Sequence, residues 1–272
     1  MMILEILQKL LITMSVFIPL EFLLPRLQEK RVFRKNWQLD LCYALASGLI
    51  VSAGIVFIIV MGVLLITPIL SPSVTEFIAG QPLYLQVIEI MIIADLGYYL
   101  IHRMFHENPT LWKLHAIHHS IEEMDWLAAH RVHPIDQIMT RGISLIIPYT
   151  FGFSTAAIAI FFLIFGWHSY LKHSNVNIRF GPLKWLLASP TYHHWHHANE
   201  AHAFDRNYAG QLPLFDIIFG TAIMEEKEGP KHYGTDTEIP ADFVGQIMLP
   251  FTMIINRFKR PTVLTDDITT AE

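Results

Sequence analysis

Residues Ile138–Trp167 read IMTRGISLIIPYTFGFSTAAIAIFFLIFGW. A bilayer core about 30 Å thick needs about 20 apolar helical residues, so this stretch suffices for one tilted crossing or for two shorter helices that go in and return. Its apolar pattern breaks at Ile147-Pro148-Tyr149 and again at Gly152. Proline removes a helical donor and glycine tolerates the backbone angles of a reversal. Histidine-rich sequence stands on both sides: HRMFH (102–106) and HAIHH (115–119) before it, His168, His173 and HHWHH (193–197) after it. One crossing would put the two sets on opposite faces of the membrane, whereas a hairpin keeps them together. The break therefore predicts a helical hairpin over 138–167, its bend buried in protein or near the interface, as irregular backbone in a membrane requires.

The flanks agree with a membrane setting. The chain has 272 residues, 53% hydrophobic and 16% charged, with mean hydropathy +0.39, too apolar for an ordinary soluble domain. Its net charge of −5 offers no basic surface for nucleic acid. The single cysteine, Cys42, forms no internal disulfide and says nothing of compartment. Residues 3–24 are apolar apart from Glu5, Lys9 and Glu21, without the pattern of a cleaved signal peptide, and read as a retained helix. Between Leu39 and Leu70 only Asp40 is charged, the strongest span in the chain. It is longer than a crossing needs, and a tilt or a kink near Gly48, Gly54 or Gly62 would absorb the excess. Thr67-Pro68, Ser71-Pro72 and Gly80-Gln81-Pro82 mark a turn on the far side, and residues 83–101 return to deliver His102. In RLQEKRVFRK, Arg26, Lys30, Arg31, Arg34 and Lys35 outnumber Glu29, which predicts that this loop and the histidines are cytoplasmic.

The expected architecture is all-α: an integral, multi-pass membrane helical bundle with a cytosolic histidine-rich helical cap. A single domain covers 1–272, with membrane helices in 1–101, the cap in 102–137 and 168–240, the hairpin in 138–167, and an interfacial helix at 241–260 interrupted by Pro250. The C-terminal TTAE carries no endoplasmic-reticulum retention signal, which favours a bacterial inner membrane.

Fourteen of the fifteen histidines lie between His102 and His202. Residues three and four apart share a helix face, so His102 and His106, then His115, His118 and His119, then His193, His196 and His197, would each aim imidazoles in one direction. Asn108-Pro109 and Ser189-Pro190 are helix starts that launch the second and third groups. Eight converging imidazoles exceed the needs of one ion and predict a two-metal site. Asp95, two turns before His102, is a candidate to accept a hydrogen bond from an imidazole and fix its tautomer. The Glu-x-x-His motif of soluble di-iron bundles and the His-Glu-x-x-His motif of zinc proteases are both missing from the three groups. Histidine-only donors with open positions suit oxygen-activating iron, although spacing alone is compatible with zinc or manganese.

HRMFH, LWKLHAIHHS, RVHP, GWHSYLKHSN, SPTYHHWHHAN and DRNYAGQLPLFDIIFGT together resemble the fatty acid hydroxylase and sterol desaturase superfamily, membrane non-haem di-iron enzymes with histidine boxes. The resemblance covers residues 95–221. It implies an oxygen-dependent lipid hydroxylase or desaturase, or an enzyme cleaving ether lipids after hydroxylation. Two irons, dioxygen, a lipid substrate and an external electron-transfer protein come with it. Carried across, the family's metal ligands fall on His102, His106, His115, His118, His119, His193, His196 and His197, with His133, His168 and His173 added from the connecting segments. His168 and His173 are about 140° apart on a regular helix, so both are ligands only if the helix ends between them, and His173 is preferred. Asp205 and Asn207, and with them Asp216, are candidates to orient ligand imidazoles. The competing readings are a membrane dizinc hydrolase of lipid or peptide, which needs no oxygen, and a metal transporter, which needs ligands strung through the bilayer.

Overall fold

A computed structural model of the chain describes residues 2–28 and 33–259. Glu29, Lys30 and Arg31, which entered the charge pattern above, and the C-terminal TTAE lie outside the described residues. Ten α-helices follow in order: α1 (Met2–Leu23), α2 (Trp37–Ile66), α3 (Pro72–Ala79), α4 (Leu83–Glu107), α5 (Pro109–His119), α6 (Pro134–Thr150), α7 (Thr155–His173), α8 (Pro190–His196), α9 (Leu214–Phe219) and α10 (Phe243–Lys259). Among the described residues β structure is limited to two isolated bridges, Pro25 to Val176 and Ala198 to Tyr233. Among the described residues, four helical stretches are long and apolar enough to cross a membrane: Leu4–Leu23, Trp37–Ile69, Leu83–Glu107 and Thr155–His173.

The path between α6 and α7 sets the rest. The first turn of α6 lies against α5, where Asp136 meets His115 at 2.7 Å, and the last residue of α7, His173, reaches His118 at 3.2 Å. The chain thus leaves the histidine layer at Pro134 and returns to it at His173. It turns at 151–154, with Pro148 inside α6. Gly152 takes the left-handed φ of 87° that the reversal needs, and a Cβ there would stand 2.9 Å from the Thr75 carbonyl of α3. The bend is also tied to α4, because Gln86 accepts the Ser154 N–H at 2.8 Å. Ser154 then caps α7 by accepting the Ala157 N–H at 3.2 Å.

α2 and α6 run side by side and form the most extensive helix pair. Ile138 and Ile146 of α6 fill the positions over Gly54 and Gly62, and Ile58 of α2 fills the position over Gly142. A methyl group on Gly54 would stand 2.3 Å from Ile138 Cδ1. Small residues that admit a neighbour's side chain are how apolar helices associate where water supplies no driving force. α2 is assigned as one helix through all three of its glycines, and Gly54 and Gly62 are packing positions against α6.

At the histidine end a buried charge network joins membrane helices to cap. Asp40, in the first turn of α2, pairs with Arg34 and Arg131, and Arg34 also reaches Asp125 at 2.7 Å. Phe17 of α1 stacks on Trp167 of α7 at 6.0 Å, and Glu21 accepts the Trp126 and Asn175 N–H groups. α10 touches α2 through Gln246, which accepts the Tyr43 hydroxyl at 2.9 Å, and leaves Val244, Phe251 and Ile254 exposed.

Candidate metal centre

Nine imidazoles gather in two groups. His102, His106, His115, His119 and His196 form one; His118, His173, His193 and His197 form the other, with the candidate ligand atoms within each group lying within 4.8 Å of one another. Each HxxHH triplet is divided. On a helix, positions i and i+4 differ by about 40° and adjacent positions by about 100°. His115 and His119 therefore face the first group while His118 turns to the second. α8 repeats the device in mirror sense, giving His196 to the first group and His193 with His197 to the second. α5 and α8 consequently stand between the two groups, where the His119 and His197 rings stack 4.7 Å apart.

The loops that carry these helices also fix the rings. Nδ1–H donates to the Tyr208 carbonyl from His102 (2.6 Å), to the Arg131 carbonyl from His118 (2.9 Å), to the Ser169 carbonyl from His173 (2.7 Å), to the Arg206 carbonyl from His196 (2.9 Å) and to the Asp136 carboxylate from His115 (2.7 Å). Carbonyls and carboxylates only accept, so in all five rings the proton is on Nδ1 and Nε2 keeps its lone pair. These lone pairs converge. Nε2 to Nε2 separations are 2.9 Å for His102–His115, 3.1 Å for His115–His119, 3.1 Å for His119–His196, 3.2 Å for His118–His173, 2.9 Å for His173–His193 and 3.2 Å for His193–His197. Between His102 and His115, and between His118 and His173, neither ring has a proton to share, and a cation is the partner that such facing lone pairs need.

The protonation state suits a cation. Burial first, and then the charge of neighbouring groups, pushes His118, His119, His193 and His197 well below the ordinary imidazole range, and His196 down to about 3. Nδ1 of His193 and of His197 and Nε2 of His106 are buried without a hydrogen-bond partner. The spacing suits a bound ion, since the facing nitrogens lie 2.9–3.2 Å apart and two nitrogens bound to one ion at about 2.1 Å stand roughly 3 Å apart.

The fatty acid hydroxylase family model matches residues 87–221, which contain all nine histidines. This segment belongs to the fatty acid hydroxylase family. Over 171 residues the chain is 29% identical to ornithine lipid hydroxylase OlsE of Rhizobium tropici, an alignment covering 63% of this chain and 52% of that protein. It is 35% identical over 139 residues to the alkylglycerol monooxygenase of Homo sapiens, covering 49% of this chain and 30% of that protein. A very-long-chain aldehyde decarbonylase, GL1-6 of Oryza sativa subsp. indica, is 26% identical over 136 residues, 46% of this chain and 21% of that protein. The chain thus spans about half the length of the first relative and less than a third of the second. No solved structure matches it.

Within the hydroxylase domain two expected ligands stand outside both groups. His168 donates from Nε2 to the Ala188 carbonyl at 2.7 Å, because α7 does not end between it and His173. His133 caps α6: its Nδ1 accepts the Ile135 N–H at 3.1 Å, and its Nε2 faces the Ile247 carbonyl at 3.4 Å. Asp95 meets no imidazole. Its carboxylate takes the Gln211 and Leu212 N–H groups at 2.7 and 2.8 Å, and Gly210 gives way for it, since a Cβ there would stand 2.7 Å from Asp95 Oδ1.

The DRNYAG loop of the hydroxylase domain works mainly through its backbone. Asp205 does meet Nδ1 of His106, at 3.3 Å. Asn207 instead ties the loop to the Tyr192 carbonyl and to Ile223, adopting φ 57°. Asp216 accepts the Tyr208 and Ala209 N–H groups and the Tyr192 hydroxyl. Together they hold the Arg206 and Tyr208 carbonyls against His196 and His102. The carboxylate that residue patterns missed is Asp136; its only signal is an acidic residue in the first turn of α6, three positions after His133.

Two hollows adjoin the first group. Between α4, α6 and α7, a narrow cavity of about 40 Å³ is bounded by Tyr98, whose ring is edge-on to His102 at 5.1 Å. An open cleft of about 530 Å³ is lined by His106, His119, His196 and Asp205.

Proposed function

We propose that this chain is a membrane lipid oxygenase in which nine histidines hold two iron ions. His102, His106, His115, His119 and His196 would hold one, and His118, His173, His193 and His197 the other. The observation that carries this reading is the convergence of Nε2 lone pairs from rings whose Nδ1–H groups are already engaged. When bound, iron would supply the redox chemistry that splits dioxygen and oxidises a C–H bond of the lipid. The protein's part is to present neutral, oriented imidazoles and to keep bulk water from the second group, whose four rings are buried.

Two observations support the choice of oxidation over hydrolysis. The donor set is histidine alone, and the relatives named above include a lipid hydroxylase and an alkylglycerol monooxygenase. Electrons are assigned to a separate protein, with the open cleft over His106 and His119 as its docking place. The cap is assigned to the cytoplasmic side. Arg26, Arg34 and Lys35 lie at that end of the bundle, bonded to Tyr233, Asp125 and Glu122 respectively.

Purified protein loaded with ferrous iron and given a reductant, a lipid extract and ¹⁸O-labelled dioxygen is expected to place ¹⁸O in a lipid product. A product formed equally well without oxygen by the zinc-loaded protein would overturn the reading in favour of hydrolysis.

A further inference from the structure

The outer surface of the histidine cap carries an apolar patch that neither metal group uses. A short helical turn, Gly181–Trp185, lies beside α9: the Ala188 N–H donates to the Gln211 carbonyl at 2.8 Å, and Lys184 donates to the Met224 carbonyl at 2.8 Å. From this pair of elements Leu183, Trp185, Leu186, Leu214, Ile217 and Ile218 stand 40–64% exposed. The one charged residue of α9, Asp216, is buried and accepts the Tyr208 and Ala209 N–H groups and the Tyr192 hydroxyl. The one charged residue of the turn, Lys184, lies over the Trp185 ring at 5.7 Å. Exposed apolar side chains are ordinary when single, but a contiguous patch of them marks an interaction surface.

Two observations say what covers it. The patch continues the apolar sides of two membrane-length helices, α4 and α7. Phe219 of α9 stacks on Tyr99 of α4 at 5.1 Å, beside the exposed Leu100, and Ala188, which follows the turn, accepts from His168 of α7, where Leu163, Ile164 and Trp167 are exposed. The levels of attachment agree. Counted from the start of each helix at the far end, Tyr99 lies about 24 Å along α4 and His168 about 20 Å along α7, at about 1.5 Å per residue. Both distances fall short of the about 30 Å that a hydrocarbon core spans.

We propose that α9 and the 181–186 turn are embedded in the bilayer that α4 and α7 cross, at its boundary with the headgroups, so that this side of the cap rests in lipid. Leu183, Leu186, Leu214, Ile217 and Ile218 contact acyl chains, and Trp185 with Lys184 supplies the aromatic and basic residues that mark a membrane boundary. The contact bears on the first histidine group. Asp216 of α9 holds the Tyr208 N–H, and the Tyr208 carbonyl holds His102. The helix seated in lipid is therefore the one that braces a ring of that group. The inference concerns the cap's seat in the membrane and stands whichever ion the histidines bind.

The test is the accessibility of single labelled positions in the full chain, reconstituted in phosphatidylcholine vesicles. With Cys42→Ser removing the single native cysteine, Ile218→Cys and Leu186→Cys each take an environment-sensitive fluorophore. Phe57→Cys, on the exposed side of α2, is the reference for lipid, and Lys231→Cys, exposed on the cap, the reference for water. Melting with the unmodified chain shows that each labelled variant is folded. Labels at 218 and 186 are expected to emit to the blue of the label at 231, to be quenched by a nitroxide-bearing lipid, and to be quenched by iodide several-fold less than at 231. Iodide quenching equal to that at 231, with no quenching by the lipid, would overturn the proposal. Protection of both labels from iodide and from the lipid quencher alike would also overturn it, since a second copy of the chain would then cover the patch.

Discussion

Asp136 accepts the Nδ1–H of His115 at 2.7 Å, and both side chains are 2% exposed. The contact joins the start of α6 to the middle of α5, so one carboxylate sets both the hairpin's departure point and the tautomer of an imidazole facing His102 and His119. A carboxylate behind a ligand imidazole raises its basicity, and losing such a partner typically costs about 10–100-fold in metal affinity. Asp136→Asn, which keeps an acceptor and loses the charge, should fall near the lower figure, and Asp136→Leu near the upper. Chelator competition measures both; unchanged affinity in both would remove Asp136 from the centre.

His168 and His133 should behave differently from the nine. His168→Gln and His133→Asn are expected to keep the full metal content, because neither residue belongs to the two groups, His168 Nε2 bonding to the Ala188 carbonyl and both ring nitrogens of His133 facing backbone groups. Elemental analysis of the purified variants checks this, and loss of an ion from either would return that residue to the ligand set.

The interlock of α2 and α6 predicts a steric defect with a specific rescue. Gly54→Ala drives a methyl against Ile138 and should cost about 1–3 kcal/mol, the usual range for overpacking. Ile138→Ala in the same chain should recover most of the loss, giving a coupling in a double-mutant cycle that two independent sites would not show. Thermal melts in detergent supply the four values.

Acid sensitivity follows from His130. Burial, reinforced by the charges of Lys9 and Arg141, pushes its imidazole down to about 3 from an ordinary 6.5. As pH falls below about 6.5 the unfolded chain takes up this proton and the folded one does not, so stability declines from there toward pH 3. His130→Gln should melt with a pH dependence one proton smaller between pH 6 and 4. An identical slope in both proteins would contradict the assignment.

Much of the bundle was legible because its signals are compositional. Long apolar runs mark the spans, and Asn108-Pro109 and Ser189-Pro190 mark helix starts whose side chains do cap α5 and α8. Histidine spacing identified eight of the nine residues of the two groups and the resemblance added His173, but neither gave their division. Reading each triplet as one face neglects the 100° between neighbours that sends His118 away from His119. His133 and His168 were added by resemblance; whether a ring faces the groups depends on where α6 starts and whether α7 continues, which residue types alone do not specify. Asp95 was placed on the correct face of α4, yet Gly210 lets the 210–212 segment approach close enough for its N–H groups to take the carboxylate. The acceptors behind His102, His118, His173 and His196 are backbone carbonyls, which every residue has and no pattern marks.

The central claim is that two separate histidine groups each hold an ion. It is tested most directly by counting metal per chain in the unmodified protein and in two double variants, His173→Ala with His193→Ala and His102→Ala with His196→Ala. The account predicts two irons in the unmodified protein and one in each folded double variant, each pair removing only its own group's ion. One ion in the unmodified protein, or two retained in either variant, would contradict it.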